Sequence, residues 1–177
     1  MPVAILGYGE IGQKVAADLA PLGFPVMAWS RTAKPPSPSV SGFHGPSGLA
    51  AMLGKTEVLV NLLPLTGETR GILNNELFGR MRRGGYLIQV GRGEHLVEED
   101  LLVALESGQL AGAALDVFAA EPLVPEHLFW RHPKIVVTPH DACEVRVEAV
   151  AATLIATADA IRAGRRPTFA IDRERGY

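Results

Sequence analysis

VAILGYGEIG, Val3 to Gly12, decides the fold. Val3–Gly7 is a short, apolar, β-branched run that reads as a buried strand, and it leads straight into G-x-G-x-x-G at Gly7, Gly9 and Gly12. Ile11, Val15, Ala16, Leu19 and Leu22 follow at helical spacing. Strand, glycine-rich turn and helix in that order form a dinucleotide fingerprint. Gly7 allows the tight turn, Gly9 lets the backbone approach a pyrophosphate, and Gly12 lets the helix pack closely on the strand. The helix start, Glu10 and Ile11 onward, then offers N–H groups to phosphate oxygens. A glycine-rich turn that binds nothing is the plain alternative, and the flanking strand and helix weigh against it.

The pattern repeats outward. Pro25–Trp29, Glu57–Leu63, Tyr86–Val90, Ala111–Val117 and Lys134–His140 read as further strands. Helical segments fall between or after them at Leu49–Leu53, Glu76–Met81 and Glu98–Glu106, and a long one at Glu144–Ala163 is closed by Gly164. KPPSPSVSG, Lys34–Gly42, reads as a Pro/Ser loop too short to be a domain linker. Apolar strands alternating with helices imply a doubly wound α/β domain, a parallel sheet covered on both faces. Residues 1–143 are expected to form this dinucleotide-binding domain, with 144–177 as a helix and tail belonging to another domain.

Composition excludes several classes. The 177 residues are 47% hydrophobic and 20% charged, with a formal charge of −2. No global field draws the chain to nucleic acid or to an anionic membrane. No apolar run approaches the ~20 residues of a membrane span, and no signal-peptide pattern follows Met1. A single cysteine, Cys143, excludes an intramolecular disulfide and cannot by itself make a zinc site, so no metal is expected and the default address is the cytoplasm.

The end of the second strand bears on the choice of cofactor. An Asp or Glu about 20 residues past the glycines would bind a ribose 2′-hydroxyl and repel a 2′-phosphate. Here Ser30 stands 18 residues after Gly12, followed by Arg31, Thr32 and Lys34. A guanidinium holds a phosphate bidentately, a hydroxyl donates to it and an ammonium adds charge. The expected cofactor is therefore NADP, with NAD the alternative if Arg31 and Lys34 are solvated loop charges.

MRRGGYLIQVGRGEHLVEEDLL, then LAGAALDVFAAEPL, then VVTPH, resembles the D-isomer-specific 2-hydroxyacid dehydrogenases. NLLPLTGETRGIL, WSRT and the terminal DRERGY are similar to its glyoxylate/hydroxypyruvate reductase branch. The resemblance implies a catalytic Arg, Glu and His, which map by motif to Arg92 in VGRG, Glu121 in DVFAAEP and His140 in TPH. Histidine titrates near neutrality and can give a proton to a carbonyl oxygen. A neighbouring carboxylate favours the imidazolium, and an arginine can orient a substrate carboxylate. The resemblance also implies that Asp116 accepts from the nicotinamide carboxamide. Leu63 and Pro64 would line the adenosine side, and Thr69, Val90 and Gly91 would lie along the cofactor. His44, His95, His127 and His132 match no catalytic position and are expected to be surface or structural.

Three residues depart from the family pattern. Gln89 stands where Asn is usual, Glu10 where many members carry Arg, and Asp141 where a small or apolar residue follows the histidine. Family members have two domains, and this chain is expected to represent the cofactor half plus the final segment. The helix Glu144–Ala163 is too apolar for a solvated surface, so it should carry packing surface for a partner domain, and the resemblance implies a homodimer formed through the nucleotide-binding domain. The implied substrate is a small 2-keto acid. The alternative is a dinucleotide-binding or dimerisation module without turnover, since a fold does not fix an activity. An S-adenosylmethionine methyltransferase is disfavoured, because it leaves Arg92 and TPH unexplained.

Overall fold

The computed structural model describes residues 1–143, 146–168 and 170. The terminal DRERGY and the first two residues of the expected last helix, Glu144 and Val145, lie outside that set. The chain forms two compact units, Met1–His140 and Asp141–Tyr177.

Among the described residues the first unit holds seven strands: β1 (Val3–Leu6), β2 (Val26–Ser30), β3 (Val40–His44), β4 (Val58–Asn61), β5 (Gly85–Gln89), β6 (Leu110–Leu115) and β7 (Ile135–Val137). They form one parallel sheet in the order β3-β2-β1-β4-β5-β6-β7. Its helices are α1 (Glu10–Leu19), α2 (Gly45–Leu53), α3 (Asn75–Arg80) and α4 (Glu98–Glu106). The doubly wound α/β class read from the sequence is the observed one.

Alternation along the strands sends neighbouring residues to opposite faces. Ala4, Leu6, Met27, Leu59 and Leu87 pack with Met52 and Leu53 of α2, Leu77 and Phe78 of α3, and Leu101 and Leu105 of α4. Val3, Ile5, Val26, Ala28, Val58 and Val60 pack on the other face with Ala16 of α1. Strand order reverses at β1, which has β2 on one side and β4 on the other. A crevice at such a switch point, beyond the C-terminal strand ends, is where open α/β sheets hold ligands.

The structure corrects three boundaries. The stretch expected to be a Pro/Ser loop contains the start of an edge strand, β3, whose burial alternates poorly because one side of it faces no neighbouring strand. α2 begins at Gly45, four residues before the expected Leu49, with Pro46 in its first turn, where the missing N–H costs nothing. β7 ends at Val137, so His140 sits on the loop beyond the strand, with φ of 57°. In the second unit the described helix is α5, Val147–Arg162, ending at the left-handed Gly164. No helix among the described residues is long and apolar enough to cross a membrane.

Candidate active site

The glycine turn is fixed by close approach. Gly7 has φ of 100°, and a Cβ there would lie 2.7 Å from the Leu62 carbonyl oxygen. A Cβ on Gly12 would lie 2.0 Å from the Gly7 carbonyl oxygen. Gly9 differs: nothing lies within 4 Å of the Cβ position, and it is the N-cap of α1 with no side chain capping the helix. Open space above Gly9 and an uncapped helix start fit a pyrophosphate. Glu10 and Ile11 are exposed beside it, Ile11 at 65%.

At the end of β2, Ser30 Oγ donates to the Thr32 carbonyl at 2.8 Å. Arg31 and Thr32 are exposed, and Arg31 Nη1 lies 3.6 Å from Glu68 Oε2. A cavity of ≈ 210 Å³ opens here, lined by Tyr8, Ser30, Lys34, Phe43 and His44 among others. The strand β3 supplies one of its walls.

After β4, the Leu63 side chain is buried in the core and its N–H donates to Asn61 Oδ1 at 3.3 Å. The Pro64 carbonyl accepts from Thr69 Oγ1 at 2.7 Å and from His95 Nε2 at 3.2 Å. Thr69 Oγ1 also accepts from the Thr66 N–H at 2.8 Å, so this hydroxyl closes the loop on itself.

The Arg92 turn follows β5. A Cβ on Gly91 would lie 2.8 Å from Asn61 Nδ2, and one on Gly93 would lie 1.9 Å from the Phe118 carbonyl carbon. Both glycines are therefore required by packing, and Gly93 seats the turn against the loop that follows β6. Val90 is half-buried, Gly91 is buried, and Arg92 is exposed with Nη1 donating to the Gly91 carbonyl at 2.7 Å. The departure at Gln89 is accommodated. Its Nε2 donates to the Arg92 carbonyl at 2.8 Å and its Oε1 accepts from the Gly91 N–H at 3.2 Å, so the longer amide closes the turn.

Asp116, just past β6, is buried, and its Oδ1 accepts from Thr138 Oγ1 at 2.5 Å. Further along, Glu121 Oε1 accepts from the Phe118 N–H at 2.9 Å, and Glu121 Oε2 lies 2.7 Å from His140 Nδ1. A carboxylate only accepts, so Nδ1 carries the proton and Nε2 is the ring nitrogen left for chemistry. The His140 hydrogen bond, and after it the Phe118 N–H, hold the Glu121 carboxyl below its ordinary value of 4.5. His140 has a left-handed φ, a conformation histidine adopts more readily than most side chains. Arg92, Glu121 and His140 thus follow three adjacent strands, β5, β6 and β7, at one end of the sheet.

Of the remaining histidines, His127 pairs with Glu98 at 3.2 Å, His132 Nδ1 accepts from the Lys134 N–H at 3.2 Å, and His44 lines the cavity beside β2. His95 is fully buried behind the Arg92 turn. Its sequence context assigns it only a surface or structural place. The available signal was a polar residue at the end of each of two apolar strands, Asn61 and Gln89, which need a buried polar partner. Among the described residues no group of three His, Cys, Asp or Glu side chains could hold a metal.

Known proteins are similar to this chain over nearly its whole length. The chain is 45% identical over 175 residues to glyoxylate/hydroxypyruvate reductase A of Yersinia enterocolitica, covering 99% of this chain and 56% of the relative. It is similar to the NADPH-dependent glyoxylate/hydroxypyruvate reductase of Sinorhizobium meliloti, solved with NADP and sulfate, at TM-score 0.94 and 41% identity, covering 100% of this chain and 57% of that one. A D-isomer specific 2-hydroxyacid dehydrogenase of Xanthobacter autotrophicus, solved with NADPH and MES, gives TM-score 0.95 and 40% identity, covering 100% of this chain and 73% of that one. The chain spans about half the length of the curated relatives it matches. The family profile described as the NAD binding domain of D-isomer specific 2-hydroxyacid dehydrogenases matches residues 1–142. With the glycine turn, the parallel sheet and the profile in agreement, the chain belongs to the D-isomer specific 2-hydroxyacid dehydrogenase family.

Proposed function

We propose that this chain is the cofactor-binding and catalytic-residue-bearing part of an NADPH-dependent reductase of small 2-keto acids of the glyoxylate or hydroxypyruvate kind. The observation that carries the reading is the 2.7 Å contact of His140 Nδ1 with Glu121 Oε2, on the two strand ends next to that of a glycine-flanked arginine. NADP over NAD is supported by Ser30 in place of an acid, by Arg31 and Thr32 beside it, and by Lys34 in the adjacent cavity. Gly7, Gly9, Glu10, Ile11 and Gly12 would meet the pyrophosphate. The loops carrying Leu63, Pro64, Thr69, Val90 and Gly91 would flank the rest of the cofactor, and Asp116 would accept from the carboxamide.

When bound, NADPH would supply a hydride for the keto carbon. His140, as the imidazolium, gives its Nε2 proton to the carbonyl oxygen, and its ring becomes neutral. Glu121 accepts from Nδ1 throughout, which orients the ring. Arg92 binds the substrate carboxylate and polarises the carbonyl. The oxidation of a 2-hydroxy acid reverses each step, with His140 taking the proton.

A homodimer in the cytoplasm is the setting proposed for it. The exposed apolar face of α5 supports association, and the use of a single cysteine supports a reducing compartment. Residues 144–177 are proposed to belong with a substrate domain.

Titration of Trp29 fluorescence with NADPH and with NADH tests the cofactor, and NADPH oxidation on addition of glyoxylate or hydroxypyruvate tests the reaction. Tighter NADPH and keto-acid-dependent oxidation, abolished by His140→Asn, are expected. Equal or tighter NADH overturns the cofactor reading. Cofactor binding without oxidation overturns the reductase reading for this chain and leaves a dinucleotide-binding module.

A further inference from the structure

Asn61, Gln89 and His95 are all fully buried, and they satisfy one another and two loops. Asn61 Nδ2 lies 2.7 Å from Gln89 Oε1 and 3.0 Å from His95 Nδ1, while Asn61 Oδ1 accepts from the Leu63 N–H at 3.3 Å. The Arg92 N–H donates to His95 Nδ1 at 3.1 Å, and His95 Nε2 lies 3.2 Å from the Pro64 carbonyl oxygen. Donor rules leave one arrangement. A backbone amide only donates and a carbonyl only accepts. Nδ1 must therefore present a lone pair, and Nε2 must carry the proton. An imidazolium would set an Nδ1–H against the Arg92 N–H and the Asn61 amide. Turning Asn61 over to relieve this would break its bonds to Gln89 and Leu63.

We propose that His95 is the positioning residue for Arg92: as a neutral Nε2–H imidazole it clamps the Arg92 turn to the loop after β4, and its protonation releases both. The functional consequence rests on reading Arg92 as the group that holds the substrate carboxylate. Gly91 leaves the ring no slack: a Cβ there would lie 3.0 Å from His95 Nδ1. The other lone pair of the Pro64 carbonyl is engaged by Thr69 Oγ1, so the clamp reaches a loop that is itself closed. The clamp joins a candidate cofactor loop to a candidate substrate-binding residue through one titratable ring.

The charges that act on the ring are Glu94, which favours the imidazolium, and Arg92, which opposes it; Glu94 is itself 3.8 Å from Arg70. Asn61 and Gln89, which meet the ring from β4 and β5, are uncharged. Burial outweighs these contributions and lowers the imidazole below its ordinary 6.5. The clamp therefore holds at neutral pH and opens as pH falls through that lowered value.

Two variants separate the two ends of the ring. Asn places Oδ1 at the distance of Nδ1 from the backbone and has no titration, so His95→Asn keeps the acceptor for Arg92. Gln places its amide nitrogen at the distance of Nε2, so His95→Gln keeps the Pro64 donor and loses the acceptor. In the ¹⁵N-labelled 177-residue chain, imidazole nitrogen shifts at neutral pH should report the Nε2–H tautomer. Acidification should raise Arg92 amide exchange with the same midpoint as the ring, while core amides such as that of Leu59 stay protected. Arg92 amide exchange should be at least about tenfold faster in His95→Gln and within about twofold of the parent in His95→Asn. An Nδ1–H tautomer, an imidazolium at neutral pH, an Arg92 amide indifferent to the titration, or equal effects of the two variants overturns the clamp. With turnover as readout, KM for the keto acid should rise about tenfold in His95→Gln at unchanged NADPH affinity, and its acid-side rise should flatten in His95→Asn. If the tautomer and the amide protection hold but no keto acid is turned over, the clamp stands and the reductase reading fails; the reverse pattern removes the clamp alone.

Discussion

Arg31, the side chain proposed to read a 2′-phosphate, has Glu68 3.6 Å away. Both side chains are well exposed, so the pair is worth only a few tenths to about 1 kcal/mol, yet the same carboxylate repels an incoming phosphate. Glu68→Gln should therefore tighten NADPH about two- to fivefold and leave NADH unchanged, as read by fluorescence titration with each cofactor. At Glu121 the depressed carboxyl has a stability consequence. A group whose folded-state value lies below its unfolded value of 4.5 contributes fully above that value, and the contribution is lost as pH falls through the lower one. Glu121→Gln should flatten this acid-side loss in thermal melts recorded below about pH 4.5. It should also lower kcat by about 10², with NADPH affinity retained. The arginine, glutamate and histidine were legible only through family motifs, since each alone has an ordinary structural explanation. His95 was not legible, because a lone histidine carries no pattern. Its partners are 34 and 31 residues away at Asn61 and Pro64, and only the fold brings them together.

At the scale of elements, apolar runs announced six of the strands and the edge strand β3 escaped. VSGFH has a small and a polar residue where a central strand would be apolar, and prolines precede it. An edge strand buries little, so it leaves little hydrophobic pattern to read. The β1–α1 turn, by contrast, was legible to the residue, because its three glycines meet different constraints. Those constraints separate folding from binding. Gly9 has φ of −85° and open space at its Cβ position, so Gly9→Ala should melt within a few degrees of the parent while NADPH affinity falls at least about tenfold, the methyl occupying the place of the pyrophosphate. Gly12→Ala puts a methyl 2.0 Å from the Gly7 carbonyl oxygen, a backbone atom that cannot swing aside. The helix must shift off the strand, and the melting temperature should drop by several degrees, consistent with an overpacking cost of about 1–3 kcal/mol. Melting curves and NADPH titrations of the two variants check both outcomes; equal loss of stability would mean that the space above Gly9 is not a ligand's.

At the scale of the whole molecule, the two units differ in how they treat apolar side chains. The first buries them on both faces of its sheet. In the second, α5 buries only Ala160 among its described residues and leaves Val147, Val150, Leu154, Ile155 and Ile161 exposed, from 42% at Val150 to 77% at Val147. Val147, Val150, Leu154 and Ile161 are spaced three, four and seven apart, which sets them along one stripe of the helix. A stripe of this kind is a seam for another surface, since burying each such side chain is worth about 1.5–3 kcal/mol. A helix that kept this stripe in water would gain nothing from it and would risk non-specific association. The proposed homodimer predicts that the chain sediments as a dimer at micromolar concentration. Leu154→Glu with Ile161→Glu should return it to the monomer without lowering the melting temperature of the first unit, whose core neither residue joins. Sedimentation velocity over a concentration series decides the matter. A parent chain that stays monomeric up to about 100 µM, a concentration at which even a weak interface of about −5.5 kcal/mol is half-formed, overturns the dimer and leaves the stripe to a different polypeptide surface.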